Sequence, residues 1–294
     1  MRRHINQAIR KVFKAIGYDI YLYKRKQNDI DLYYGIYGRE VVENRRFYNI
    51  GAGGFRHPAW TNVDHKSEWY TAAQGNIGID WDLLSLIPIP VEDNGAEIVY
   101  SSHTIEHVTD EAAQNMFNES YRILKKGGFL RVTTPNIDLD FRAYQENDRH
   151  YNYWIDSYSI PKRYQQLKLN KPMNKASIQQ IFLYHFATTA STLVVDGSPE
   201  RISDEELDRA FREMEYEEAL NYCISKCSLG VQKKYVGYHI NWWNKDKVFR
   251  MLRIAGFDNI YLSHYGQSFA PVLRNTLYFD NTHPKISLYV EAVK

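Results

Sequence analysis

Gly51, Gly53 and Asp64 stand in the run FYNIGAGGFRHPAWTNVD, where a strand-like start enters a glycine turn and a carboxylate closes the segment. Glycine lets the backbone bend tightly and approach a ligand with no Cβ in the way. A carboxylate offers two acceptor oxygens to two adjacent hydroxyls. The dinucleotide fingerprint asks for a third glycine and an acid roughly 20 residues on. Here Arg56 fills the third position, Asp64 comes 13 residues after Gly51, and Pro58 interrupts the gap. A second constellation is His103-Thr-Ile-Glu106-His107, which matches H-x-x-E-H, an inverted zinc-protease pattern. The strand-like EIVYSS directly precedes it, so His103 is expected on a loop rather than mid-helix, and no metal is expected.

These residues need elements to hold them. Strands are expected at Phe47–Ile50, Thr61–Val63, Glu97–Ser101 and Phe129–Thr133. Between the last two, DEAAQNMFNESYRILKKGG reads as a helix, with acids at its start, Lys125 and Lys126 at its end, and Gly127 beyond. Strand–helix–strand alternation predicts a parallel sheet with helices on its faces. Further helices are expected at Lys175–Val195, Ser203–Cys227 and in NKDKVFRMLRIAGF, and strands near Asn259–Ser263 and Ile286–Val293. The fold class expected is α/β, a mostly parallel sheet with helices on both faces and a largely helical insertion; its Rossmann-like, seven-stranded form is what the resemblance carried by the ordered motifs below implies. The chain divides into residues 1–40, a basic N-terminal helical segment; 41–137, the cofactor-binding core; 138–238, a substrate-binding insertion or cap; and 239–294, the C-terminal part of the core sheet.

The 37 basic and 35 acidic residues nearly cancel, so no global field favours nucleic acid, and none is expected as a partner. Cys223 and Cys227 lie four apart on one helix face and read as inert thiols of a reducing compartment. No run of about 18 apolar residues occurs, and a cytoplasmic location is expected. In HINQAIRKVFKAIG, Ile5, Ala8, Ile9, Val12, Phe13 and Ile16 recur at helical spacing, with Arg2, Arg3, Arg10, Lys11 and Lys14 off that stripe. Two readings stand: packing on the domain or a partner chain, or contact with the inner face of an anionic membrane.

The ordered set YNIGAGG, TNVD, DWDLL, IPIPVEDNGAEIVYSSHTIEHV, LKKGGFLRVTTPN and ISLYVEAVK resembles the class I S-adenosylmethionine-dependent methyltransferases of type 11. The resemblance implies S-adenosylmethionine as cofactor. It implies Asn49, Gly51 and Gly53 at the cofactor's methionine and ribose, Asp64 on the ribose hydroxyls, and Asp82 with Leu83 at the adenine, Asp80 competing with Asp82. Ser102 and His103 fall near the reacting methyl. His103, Glu106 and His107 are the catalytic candidates, since an oxygen nucleophile benefits from a base. Nicotinamide-dependent chemistry and a non-catalytic scaffold are the alternatives.

The insertion and its junction with the C-terminal part supply FRAYQENDRHYNYW and YVGYHINWW. Arg142, His150, Tyr153, His239 and Trp242 are the acceptor-binding candidates, because aromatic faces with Arg and His suit a sugar, a nucleotide-linked sugar or a phosphorylated metabolite. The subgroup resembled is associated with surface polysaccharide or capsule biosynthesis, which makes a glycan precursor the expected acceptor.

Overall fold

The computed structural model describes residues 2–18, 29–66 and 76–294. Seven strands form one sheet: β1 Phe47–Ile50, β2 Trp60–Asp64, β3 Ile79–Asp80, β4 Ala96–Ser102, β5 Leu124–Pro135, β6 Asn259–Ser263 and β7 Ser287–Val293. Their order is β3-β2-β1-β4-β5-β7-β6. The first five are parallel, and β7 runs antiparallel to both β5 and β6. Chain order reverses between β1 and β4, and in open α/β sheets the ligand crevice lies beyond the strand ends at such a switch point.

Alternation along the central strands feeds two cores. Ile50 and Val99 face a cluster with Met116, Phe117, Val248, Leu252 and Trp243. Phe47, Ile98 and Tyr100 face the other way, against Tyr33, Trp60, Val272 and Phe279. Helices Asp110–Ile123 and Lys245–Ile254 cover the first face. The former starts at Thr109, whose side chain accepts from Ala112 N. It ends at Ile123, earlier than its lysines suggest: Leu124 already pairs with Ala96 as β5 begins. Lys125 is thereby free to reach the buried Glu97 carboxylate at 2.5 Å, which makes Glu97 an anchor at the opposite end of β4 from His103.

Two short helices, Ile30–Tyr37 and Arg39–Glu43, bring Tyr33 and Val42 to the second face. Trp60 Nε1 donates to Tyr33 Oη at 2.8 Å. Nearby, His57 Nε2 lies 2.9 Å from Asp29 Oδ1 in a buried pair, and Asn275 Nδ2 donates to Asp29 Oδ2 at 2.7 Å. Burial pushes the Asp29 carboxyl up, but the hydrogen bonds from His57 and Asn275 outweigh it and hold it below its ordinary value. His57, in the run Arg56-His57-Pro58 that occupies the place of a helix start, therefore serves as a buried latch between the β1–β2 link, residue 29 and the C-terminal loop, while Arg56 and Pro58 stay exposed.

Residues 137–234 carry helices and isolated bridges but no strand of the sheet. The long helices expected there are broken. Ile178–Phe186 stops before a 3-10 turn at Thr188–Ala190, and Asp204–Glu213 is separated from Tyr216–Ser225. Cys223 is buried and Cys227 half-buried; burial pushes both thiols up, Cys227 to about 11. The N-terminal helix spans Arg2–Ala15. Val12 and Ile16 are 63% and 62% exposed, so the domain does not cover this part of the apolar stripe; the side chain of Ile5 lies outside the described residues. Among the described residues no helix is long and apolar enough to cross a membrane.

Candidate active site at the carboxyl ends of the strands

A cavity of about 890 Å³ opens at the switch point, lined by the tips of β1, β2 and β4 and by the segments just beyond them. Gly51 and Gly53 make the turn after β1 with φ of +69° and +50°. L side chains rarely adopt those values, which is why both positions need glycine. Gly51 N donates to Val63 O at 2.9 Å, and Asn62 Nδ2 donates to Phe55 O at 2.8 Å. The turn is thus tied to β2 with no helix between the strands.

Asp64 sits at the end of β2. Its Oδ2 accepts from Gly53 N and its Oδ1 from His65 N, both at 2.8 Å, which holds the carboxylate at the cavity wall. A carboxylate accepts about four hydrogen bonds, so one group can serve backbone donors and a ligand diol together. Asn49 also lines the cavity; its buried Oδ1 has no hydrogen-bond partner among the described residues. A buried acceptor left unmade costs about 1–3 kcal/mol, which a ligand donor would recover.

Trp81, Asp82, Leu83 and Leu84 form a further wall. Trp81 is buried with Nε1 donating to Ile87 O, and Asp82 Oδ1 accepts from Leu84 N, capping the 3-10 turn Leu83–Ser85. Asp80, the competing candidate, instead lies 3.0 Å from His65 Nδ1 and is not among the lining residues.

Ser102 and His103 close the β4 tip. His103 takes φ +52° immediately after the strand, with a 3-10 turn next at Ile105–His107. Both ring nitrogens are engaged: Nε2 lies 2.8 Å from Ser287 Oγ, and Nδ1 approaches Glu106 Oε1 at 3.1 Å. The second contact is an ion-pair approach off the line of a hydrogen bond, because Oε1 has no aligned donor. Held this way, His103 is oriented between Glu106 and Ser287 at the β4 tip. Burial would push Glu106 up, but the His103 charge beside it, with His107 and His239 further off, holds the carboxyl down at about 2. Burial pushes His107 down, and burial together with His107 pushes His239 well down.

The acceptor candidates scatter. His239 lies beside His107, ring centroids 4.6 Å apart. Tyr153 donates to or accepts from His283 Nδ1 at 2.8 Å, and His283 in turn faces the His103 ring. Arg142 is exposed and paired with Glu146, and His150 is exposed; neither lines the cavity. Trp242 is buried in the insertion core, with Nε1 donating to Asn221 and one ring face under Lys247 Nζ, so it has no face for a substrate. In their place the cavity takes Arg56, Gln232, Lys233, Tyr278, Asn281 and Thr282. Arg56 follows the glycine turn directly, whereas Gln232, Lys233, Tyr278, Asn281 and Thr282 come from a short helix and a loop far apart in the chain, so no local pattern singles those out.

Residues 58–132, from the β1–β2 link into β5, match the family described as a methyltransferase domain. The matched stretch carries a methyltransferase domain, for which S-adenosylmethionine is the cofactor. The match displaces the nicotinamide alternative, in keeping with Arg56 at the third glycine position. The methyltransferase is similar to solved structures of S-adenosylmethionine-dependent methyltransferases, at likenesses too low to carry an argument about substrate. One from Thermotoga maritima has 13% identity and a TM-score of 0.40, over 85% of this chain and 82% of that one. One from Mesorhizobium loti has 13% identity and a TM-score of 0.36, over 85% and 90%. One from Archaeoglobus fulgidus has 10% identity and a TM-score of 0.36, over 91% and 100%. No curated protein matches the chain.

Proposed function

We propose that the methyltransferase modifies a hydroxyl of a small, polar, anionic acceptor, a sugar or phosphoryl-bearing precursor of a surface glycan. The observation that carries this reading is the basic and hydrogen-bonding part of the cavity lining. Arg56 and Lys233 supply two cations there, and Gln232, Asn281 and Thr282 supply hydrogen-bonding groups. Paired cations favour a phosphoryl group, and amides with hydroxyls favour a polyol.

In this reading Asp64 accepts from the cofactor's ribose hydroxyls, Asn49 Oδ1 accepts from its amino group, and the Trp81–Leu84 wall takes the adenine. The cofactor supplies the activated methyl. The chain aligns the acceptor oxygen and excludes water. His103 orients groups at the β4 tip through Glu106 and Ser287.

The test is release of S-adenosylhomocysteine across nucleotide sugars, phosphorylated sugars and neutral glycosides. Turnover is expected with phosphoryl-bearing acceptors and is expected to weaken in Arg56→Ala and Lys233→Ala. Turnover confined to amines or nucleic acid would overturn it.

Peripheral contact with an anionic membrane belongs to the same reading, supported by exposed Val12, Phe13 and Ile16 alongside Arg10, Lys11 and Lys14. Deleting residues 1–26 should abolish co-sedimentation with anionic liposomes; unchanged sedimentation removes the idea.

A further inference from the structure

We propose that Glu106, His107 and His239 form a binding site for a divalent first-row metal ion, zinc or a close relative, at the cavity wall. One ligand atom from each of the three lies within 4.8 Å of the others. The histidines come from distant parts of the chain and are brought together by backbone pairing. Ile240 N donates to Glu106 O at 2.9 Å, and Asn241 Nδ2 donates to Val108 O at 3.0 Å.

The ring tautomers are set for ligation. His107 Nδ1 lies 3.2 Å from Tyr238 O, and His239 Nδ1 lies 2.6 Å from His185 O. A backbone carbonyl only accepts, so each Nδ1 carries the proton and each Nε2 presents a lone pair. Metal-binding histidines almost always donate their second nitrogen in this way. Glu106 completes the set. Its Oε2 accepts from Thr134 Oγ1 at 3.2 Å, while the buried Oε1 has no aligned donor. Oε1 faces His103 Nδ1 at 3.1 Å with no hydrogen bond on line, so the carboxylate keeps acceptor capacity for an ion.

Two ligands each about 2.1 Å from one ion can stand no more than about 4.2 Å apart, so the trio closes by roughly half an ångström on binding. Two imidazoles and one carboxylate suit zinc or its neighbours, whereas magnesium and calcium prefer oxygen donors throughout. Three protein ligands leave a coordination position open. His107 is the member that also lines the cavity, so the site adjoins the space proposed for the acceptor.

The role proposed for the ion rests on the acceptor reading above. It binds the acceptor hydroxyl and lowers its pKa. The hydroxyl releases its proton to solvent, its oxygen forms the new bond to the methyl carbon, and the carbon–sulfur bonding pair returns to sulfur as a neutral thioether.

Equilibrium dialysis of the full chain against cobalt(II) and zinc(II), with visible absorption of the cobalt form, tests the site. One ion per chain is expected. His239→Gln, His107→Gln and the isosteric Glu106→Gln should each weaken binding by more than about tenfold, since even changing a ligand's hydrogen-bond partner costs 10–100-fold. S-adenosylhomocysteine binding by calorimetry shows that each variant is folded. Absence of stoichiometric metal in wild-type protein that still binds S-adenosylhomocysteine overturns the site and leaves the methyltransferase reading intact. Equal binding in the His107→Gln/His239→Gln double variant overturns it as well. Metal binding with no hydroxyl acceptor turned over keeps the site and removes the acceptor reading.

Discussion

A Cβ placed on Gly51 would fall 2.2 Å from Thr104 Oγ1. Thr104 lies just past β4, and its hydroxyl reaches back toward Ile50 O and Ser102 O at 3.4 and 3.3 Å, so it closes the underside of the glycine turn. The turn after β1 and the segment just past β4 are therefore packed as one unit. Gly51→Ala is expected to lower S-adenosylhomocysteine affinity by more than roughly a hundredfold and to cost about 2–4 kcal/mol of stability, from overpacking plus the positive φ. Adding Thr104→Gly removes the clash but leaves the backbone strain, so calorimetry and denaturant melts should show partial recovery.

Asp64 predicts a different signature. It is half-exposed at the cavity wall, and its main losses on substitution are charge-assisted hydrogen bonds worth about 1.5–3 kcal/mol in total. Asp64→Asn should weaken S-adenosylhomocysteine binding by roughly 10–100-fold while the melting midpoint moves little. An unchanged dissociation constant would remove Asp64 from the cofactor site.

Arg131 is fully buried in β5 and makes a two-pronged contact with Asp280, with Nε to Oδ1 at 3.0 Å and Nη2 to Oδ2 at 2.6 Å. Glu291 lies 3.1 Å from its Nη1. Asp280 also accepts from Gly266 N and donates its own N–H to Tyr100 Oη, which fixes the loop carrying Tyr278, Asn281 and Thr282. Arg131→Met leaves two buried carboxylates uncompensated and should cost about 3–5 kcal/mol in a urea melt. The freed loop should raise KM for the acceptor more than for the cofactor.

His283 gives a pH dependence. Burial, with the His103 charge nearby, pushes its pKa from 6.5 down to about 4. The unfolded chain therefore binds a proton between those values that the folded one refuses, and stability rises with pH across that window. The contribution is complete above pH 6.5 and is lost as pH falls toward 4. Unfolding midpoints measured from pH 4 to 7 should show this slope, and His283→Asn should flatten it.

The strands and the part of the cavity lining at the strand ends were legible because their signals are local. Phe47–Ile50, Trp60–Asp64 and Ala96–Ser102 fall where alternation and flanking turns place them, within a residue or two. Gly51, Gly53, Asp64, Asp82, Leu83, Ser102 and His103 then succeed one another around the strand ends and all line the cavity. The two-residue β3 is too short to show a period, and the helix Asp110–Ile123 ends early because sheet pairing overrides the helix preference of Lys125 and Lys126.

The acceptor half depended on which aromatic and basic side chains the insertion spends on its own core. Composition identifies Arg142, His150, Tyr153, His239 and Trp242 as capable of binding, but burial decides which can reach a ligand. Trp242 went inside, Arg142 stayed in solvent, and only His239 came to rest beside the strand tips. The sequence by itself determined the glycine turn, the carboxylate after it and the parallel sheet that carries them, because each is written in neighbouring residues. Only the tertiary structure decided that His239 meets Glu106 and His107, and that Arg131 meets Asp280. Contacts across more than a hundred residues depend on packing that no local period encodes.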